Sequence, residues 1–353
     1  MSKNLNIFFA ASPLHLICLN EYRVKYKIKE FKLILLLHRV NEHALKQIFL
    51  TLEILEFKDY FIFWIPRNKV LRYFYEMILI YYLKISNPKT FFKFLIIDFR
   101  NNFMHSLRRF FKNSEFILID DGFYTFVAQN NFMSKNYFLP VSSYRKLKGL
   151  IVKKLYFGNS YKRILSTPIK LYTIYFDEIK SSYLIKNDLS ELRKKINFKN
   201  IKFNENEVFF TGTRMVEKGA LKIEEELDLI LAANNYWKKK GKIMKYVGKR
   251  STSNEKLEFF NKHGIKTLQF ELPLEIVFTQ IQIIPSHICG LGSTLQKSLK
   301  ILFKDKINCY YIDLYDFFQK ENKSYSIPHK NEVEETARYY SKNSDNITTI
   351  SIN

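Results

Sequence analysis

Two acids stand side by side at Asp120 and Asp121, between an unbroken apolar run, Phe116 to Ile119, and Gly122. A short apolar run ending in a turn signal fits a strand buried on both faces. Such strands belong to parallel sheets, and ligands of open α/β sheets gather at their carboxyl ends. Adjacent carboxylates repel, so one should hold its proton more tightly and can act as a general base near neutral pH. Strand pleating sends neighbours to opposite faces, so spacing alone does not choose between the two. A plain strand followed by a D-G turn is the competing structural reading.

Further residues could grip an anion. Ser12-Pro13 opens a helix after a first strand, with Ser12 as N-cap and His15 in its first turn. Ser293 and Thr294 open another helix after Gly290 and Gly292, and free N–H groups at such a start can hold a phosphate. Lys249 and Arg250 follow Gly248 at a strand end and would add positive charge. Glu275 follows Pro273 in a helical first turn, suited to ribose hydroxyls or simply to the helix dipole.

The elements that must position these groups alternate. Strands and helices succeed each other through 1–196, and again through 207–353, as in doubly wound parallel sheets, with a helix expected over Asn187–Ile196 and a strand over Gln282–Ile284. The Asn- and Lys-rich segment 197–206 is expected to link the domains. The architecture is thus α/β, two Rossmann-like domains facing a cleft. A closing helix, Lys330–Lys342, could pack back toward the first domain. Leu71–Ile85, dense in aromatic and aliphatic residues, reads as a buried helix, with an interfacial membrane helix as the alternative.

Composition narrows the classes. The 353 residues are 47% hydrophobic, enough for large cores and against wholesale disorder. A net charge of +23 would attract a polyanion or an anionic membrane. No zinc-finger or RNA-recognition signature accompanies it, so no specific nucleic acid is expected. Cys18, Cys289 and Cys309 are widely spaced, without a C-x-x-C pair, which fits a reducing cytoplasm. The apolar start reads as a first strand rather than a signal peptide, and no run is long enough to span a membrane.

Several spaced segments together resemble the bacterial sialyltransferases of glycosyltransferase family 52 and the capsule polysialyltransferases. These are SPLHL with Glu21; IDDG at 119–122; FTGTRMVEKG at 210–219, where Gly212, Val216, Glu217 and Gly219 match; ELPLE at 271–275; and GST at 292–294. The resemblance implies a GT-B fold and a CMP-activated sialic acid or related ulosonic acid as donor. It implies inversion at the anomeric carbon without metal or other cofactor, and an acid of IDDG as base. Gly212, Thr213, Arg214, Gly248, Arg250, Glu275, His287, Gly292, Ser293 and Thr294 would face the donor, and Ser12 and His15 the acceptor. Arg214 stands where the family has Pro. Lys249 stands where it usually has a His that steadies the departing phosphate; Lys249 can supply charge, but a Lys of ordinary pKa donates a proton poorly at pH 7. His287 is the other candidate for that role. The partners implied are a CMP-sugar, a lipid-linked or polysaccharide glycan of lipooligosaccharide or capsule type, and the cytoplasmic face of an anionic membrane. Alternatives are a GT-B transferase with another nucleotide sugar, a basic nucleic-acid-binding protein, and an inactive transferase relic.

Overall fold

A computed structural model of the chain describes residues 4–38, 42–87, 90–99, 101–122, 169–179, 183–217, 221–313 and 347–352, with a few short pieces besides. The chain divides into two compact units, Met1–Glu42 with Ile48–Asp188, and His43–Gln47 with Leu189–Asn353.

The first unit runs β1 (Asn4–Ala10), α1 (Pro13–Lys25), β2 (Phe31–Leu37), α2 (Glu42–Ile54), β3 (Tyr60–Trp64), α3 (Lys69–Ser86), β4 (Phe91–Ile96), α4 (Asn102–Phe110), β5 (Glu115–Ile119), β6 (Lys170–Thr173) and β7 (Leu184–Lys186). Its strands form one sheet in the order β3-β2-β1-β4-β5-β6-β7. All pairs are parallel. The apolar runs explain this, since parallel strands are covered on both faces. Ile7, Phe8 and Phe9 in β1, and Ile117 and Ile119 in β5, are fully buried. Phe94 of β4 stacks on Phe92 and Phe116.

The second unit runs α5 (Ser190–Lys194), β8 (Lys202–Thr211), α6 (Ile223–Lys239), β9 (Ile243–Val247), α7 (Asn254–Lys262), β10 (Lys266–Leu268), α8 (Leu274–Gln280), β11 (Ile283–Gly290), α9 (Thr294–Phe303), β12 (Asn308–Ile312) and β13 (Thr348–Ile350). The sheet order is β10-β9-β8-β11-β12-β13, again parallel throughout. Pro285 is tolerated in a central strand because the register shifts there, at a bulge. The core packs Phe210, Ile230, Trp237, Tyr246 and Phe260.

In both sheets the order of strand addition reverses between the first and fourth strands, β1/β4 and β8/β11. A doubly wound sheet opens its ligand crevice at that point, beyond the carboxyl ends.

Four expectations change. Lys202–Asn206, part of the segment 197–206 expected as linker, forms the first half of β8, where Lys202, Phe203 and Asn204 pair with β11. The helix expected over Asn187–Ile196 is only the five residues of α5. The strand expected over Gln282–Ile284 continues to Gly290. Leu71–Ile85 is not a buried helix: one face of α3 is buried, and the other exposes Phe74, Ile78 and Ile85 at 57%, 65% and 74%. The helix expected over Lys330–Lys342 lies largely outside the described residues, as do most of 131–161. The three cysteines are buried and none is in a disulfide.

Candidate active site

In the first unit the adjacent acids part company. Asp120 is fully buried, and its carboxyl accepts from the Thr173 hydroxyl and the Ile174 N–H at 2.7 Å. It stitches the end of β5 to the end of β6. Burial pushes its pKa up to about 7, with the neighbouring Asp121 adding to the rise and the two donors opposing it. Asp121, one residue on, keeps 28% of its side chain exposed. Gly122 turns the chain with φ 70°, a conformation that favours glycine.

Asp121 has a partner from α1. His15 Nε2 lies 3.1 Å from its Oδ1. The Ala11 N–H donates to His15 Nδ1 at 3.1 Å, which makes that nitrogen the acceptor of a neutral ring. The proton of the neutral imidazole therefore sits on Nε2 and points at Asp121. Ser12 fixes the ring's backbone: its side chain caps α1 by accepting from the His15 N–H, and Pro13 occupies the first turn. Ser12 and His15 thus meet Asp121, more than a hundred residues further on, at the carboxyl ends of β1 and β5. The result is a carboxylate oriented by a neutral histidine and open to solvent, a suitable proton acceptor.

In the second unit, Thr213 and Arg214 follow β8, and Gly292, Ser293 and Thr294 follow β11. These ends flank the point where the strand order reverses. Ser293 caps α9 and forms a reciprocal capping box with Gln296. Gly292 has φ 83°. Gly248, Lys249 and Arg250 follow the neighbouring β9; the Lys249 N–H donates to the Thr252 hydroxyl, which fixes the turn. Arg214 is exposed.

Two glycines have packing reasons of their own. A Cβ at Gly212 would lie 2.4 Å from the Tyr246 hydroxyl and 2.9 Å from the Val247 carbonyl oxygen. One at Gly290 would lie 2.2 Å from Thr211 Oγ1. Gly290→Ala should cost about 1–3 kcal/mol of stability. A thermal melt checks this, and adding Thr211→Ala should recover part of the loss.

Two of the expected donor residues lie elsewhere or are enclosed. His287 is three residues short of the end of β11, level with Asn308, the first residue of β12. Its ring packs near Trp237 and meets Glu205 at 3.2 Å and Lys242 at 2.8 Å. It lies below the carboxyl lip of its strand. Glu275 sits in the first turn of α8 with 8% exposure, and burial raises its pKa. Little of it is open to a ribose.

No family model matches this sequence, and no curated protein does. Among solved structures, the chain is similar to the GT-B domain of a Photobacterium damselae sialyltransferase. That likeness has a TM-score of 0.50 and 13% identity, and covers 99% of this chain and 100% of the other. The fold is GT-B. Weaker likenesses include UDP-GlcNAc 2-epimerase from Methanocaldococcus jannaschii, with TM-score 0.49, 12% identity, and coverage of 99% and 89%. Another is MurG from Acinetobacter baumannii, with TM-score 0.45, 8% identity, and coverage of 99% and 86%.

Two features of this GT-B chain escape sequence reading. Asp98 stands at the end of β4, beside β1 and β5, with φ 47°. Backbone strain of that kind in a non-glycine residue collects at functional sites. Its signal was present, since LIID at 95–98 repeats the pattern of LID at 118–120. The second is a buried charge cluster beneath the loop after β8. Lys256, 3% exposed, reaches Glu226 at 2.8 Å and Glu217 at 3.2 Å. Glu226 also accepts from Thr213 and Tyr246. The cluster anchors the segment that carries Thr213 and Arg214. Among the described residues, no three His, Cys, Asp or Glu side chains converge as metal ligands.

Proposed function

We propose that the protein is an inverting, metal-independent glycosyltransferase. It moves sialic acid, or a related ulosonic acid, from a CMP-activated donor to a hydroxyl of a bacterial lipooligosaccharide or capsule glycan. The observation that carries this reading is the Asp121–His15 pair at the carboxyl ends of β5 and β1. The ordered motif resemblance and the GT-B fold supply the donor class.

In the proposed step the acceptor oxygen attacks the anomeric carbon. The bond from that carbon to the phosphate oxygen breaks, and its electron pair leaves with CMP. The acceptor proton passes to Asp121, whose carboxylate is steadied by the neutral His15 ring. Asp120 acts from beneath, holding the ends of β5 and β6 together. Phosphate charge is taken up by Lys249, Arg250 and the start of α9 with Ser293 and Thr294. Thr213 and Arg214 serve the donor sugar. The work is done on the cytoplasmic face of the membrane, where lipid-linked acceptors are presented.

Nucleotide protection tests the donor class without an acceptor. CMP should raise the melting temperature, while UMP and UDP should do so far less. At a ligand concentration 100-fold above Kd, the gain is about 2.7 kcal/mol. Equal protection by UDP points to a different donor. Tight, salt-sensitive nucleic-acid binding without any CMP response removes the transferase reading.

A further inference from the structure

We infer that the outer face of α3, with the edge strand β3 beside it, is a surface that seats the protein on an anionic lipid leaflet. This deepens the membrane part of the proposed function by naming the surface.

Along α3 the exposed large side chains are spaced as one helical stripe: Leu71, Phe74, Ile78, Tyr81, Tyr82 and Ile85, each more than half exposed. The opposite face buries Glu76, Met77, Leu79, Ile80 and Leu83. Glu76 there holds Arg72 at 2.8 Å and the Tyr156 hydroxyl at 2.7 Å, so the only acid of the helix is turned inward and paired. Beside the helix, β3 is an edge strand with Phe61 57% exposed, and a groove of about 1100 Å³ runs between them. Large apolar side chains exposed together in this way mark a surface that meets another apolar phase or partner.

Charge names the occupant. The stripe carries no charge, but exposed cations frame it: Arg67 and Lys69 at one end of α3, Lys84 at the other, and Lys32 and Lys58 along the groove, with Asp59 the acid among them. A helix lying in the plane of a leaflet would sink its apolar stripe and hold both cationic ends among the headgroups. The tyrosines suit that depth, with apolar rings and polar tips. A second copy would bring the same cations face to face in a two-fold contact, on a chain already at +23. A helical partner is disfavoured by the flanks of the stripe, where the exposed Val70 and Tyr75 stand instead of the charge pairs that select one. No described helix is long and apolar enough to cross a membrane, which fits a helix lying on one.

The test is sedimentation of the full chain with vesicles of phosphatidylcholine containing about 30% phosphatidylglycerol. Wild type should bind these well and pure phosphatidylcholine weakly, losing part of its binding between about 0.05 M and about 0.5 M salt. Phe74→Ser with Ile78→Ser should cut partitioning at least about tenfold, with an unchanged melting temperature because both positions are exposed. Unchanged vesicle binding in that variant overturns the proposal. So does a wild-type dimer that the substitutions turn into a monomer, with neither form binding vesicles. CMP protection, measured on the same samples, reports on the transferase reading separately.

Discussion

Asp121→Asn should cost roughly 10²–10⁴ in the rate of transfer and leave the melting temperature near wild type. The asparagine keeps the shape and still accepts from His15 Nε2, but it cannot take the acceptor proton. His15→Ala should give a smaller loss in kcat, since the carboxylate survives but is no longer oriented by the imidazole. Asp120→Asn should act on a different observable. Buried Asp120 titrates near 7 in the folded protein, above its ordinary 3.8. A folded pKa raised in this way means that the native state holds a proton the unfolded chain has released. Its contribution to stability is complete below about pH 4 and is lost as pH rises through about 7, on the order of 2–4 kcal/mol. An asparagine carries no charge at either end of that window, so the variant's stability should lose this slope. The measurements are transfer assays and melts from pH 5 to about 8 on all three variants. Full activity in Asp121→Asn, with activity lost in Asp120→Asn, would assign the base to the buried acid and refute the pairing argued here.

The division of labour between these acids shows what a sequence can and cannot carry. That two carboxylates end a buried strand is legible, because the apolar run and Gly122 mark its limits. Which one is open is not, because Asp120 is enclosed by Thr173 and Ile174, which lie 53 and 54 residues further on. Local signals performed well where the cause is local. The Ser12-Pro13 start of α1, the Pro273 start of α8 and the Ser293 cap of α9 all stand where cap chemistry places them.

Failures occurred where the cause is tertiary. On α3 both faces are apolar, so periodicity finds the helix but not its inside; the paired Glu76 on the buried face makes the usual rule misleading. The segment Lys202–Asn206 is polar, as a linker would be, yet it is held in β8 by backbone pairing to β11, to which side-chain polarity is indifferent. The three-residue strands β7 and β13 exist through their neighbours in the sheet. His287 was visible as a histidine, but its distance from the lip depends on β11 running on to Gly290.

Lys256→Met should destabilise the second unit by about 3–5 kcal/mol near neutral pH. Methionine fills similar space, so the loss reports charge rather than a cavity. Lys256 is the cation between two glutamates, and Glu226 is entirely buried. Burial already raises the Glu226 pKa, and Lys256 is the main influence holding it down. Without Lys256 the carboxylate must either remain charged in the core or take a proton. Loss of the Lys256 charge raises the folded pKa of Glu226 further above its unfolded value, so the variant regains stability as pH falls and loses it as pH rises through that folded pKa. The gap between variant and wild type should therefore narrow from pH 8 toward about pH 5 in denaturant titrations. Adding Glu226→Gln should recover much of the loss at neutral pH, because the amide can still accept from Thr213 and Tyr246. The single variant should also weaken CMP protection, since Lys256 ties down Glu217 in the loop that carries Arg214. A gap that is constant with pH would show that Lys256 contributes through packing, and that the charge cluster does not anchor the loop.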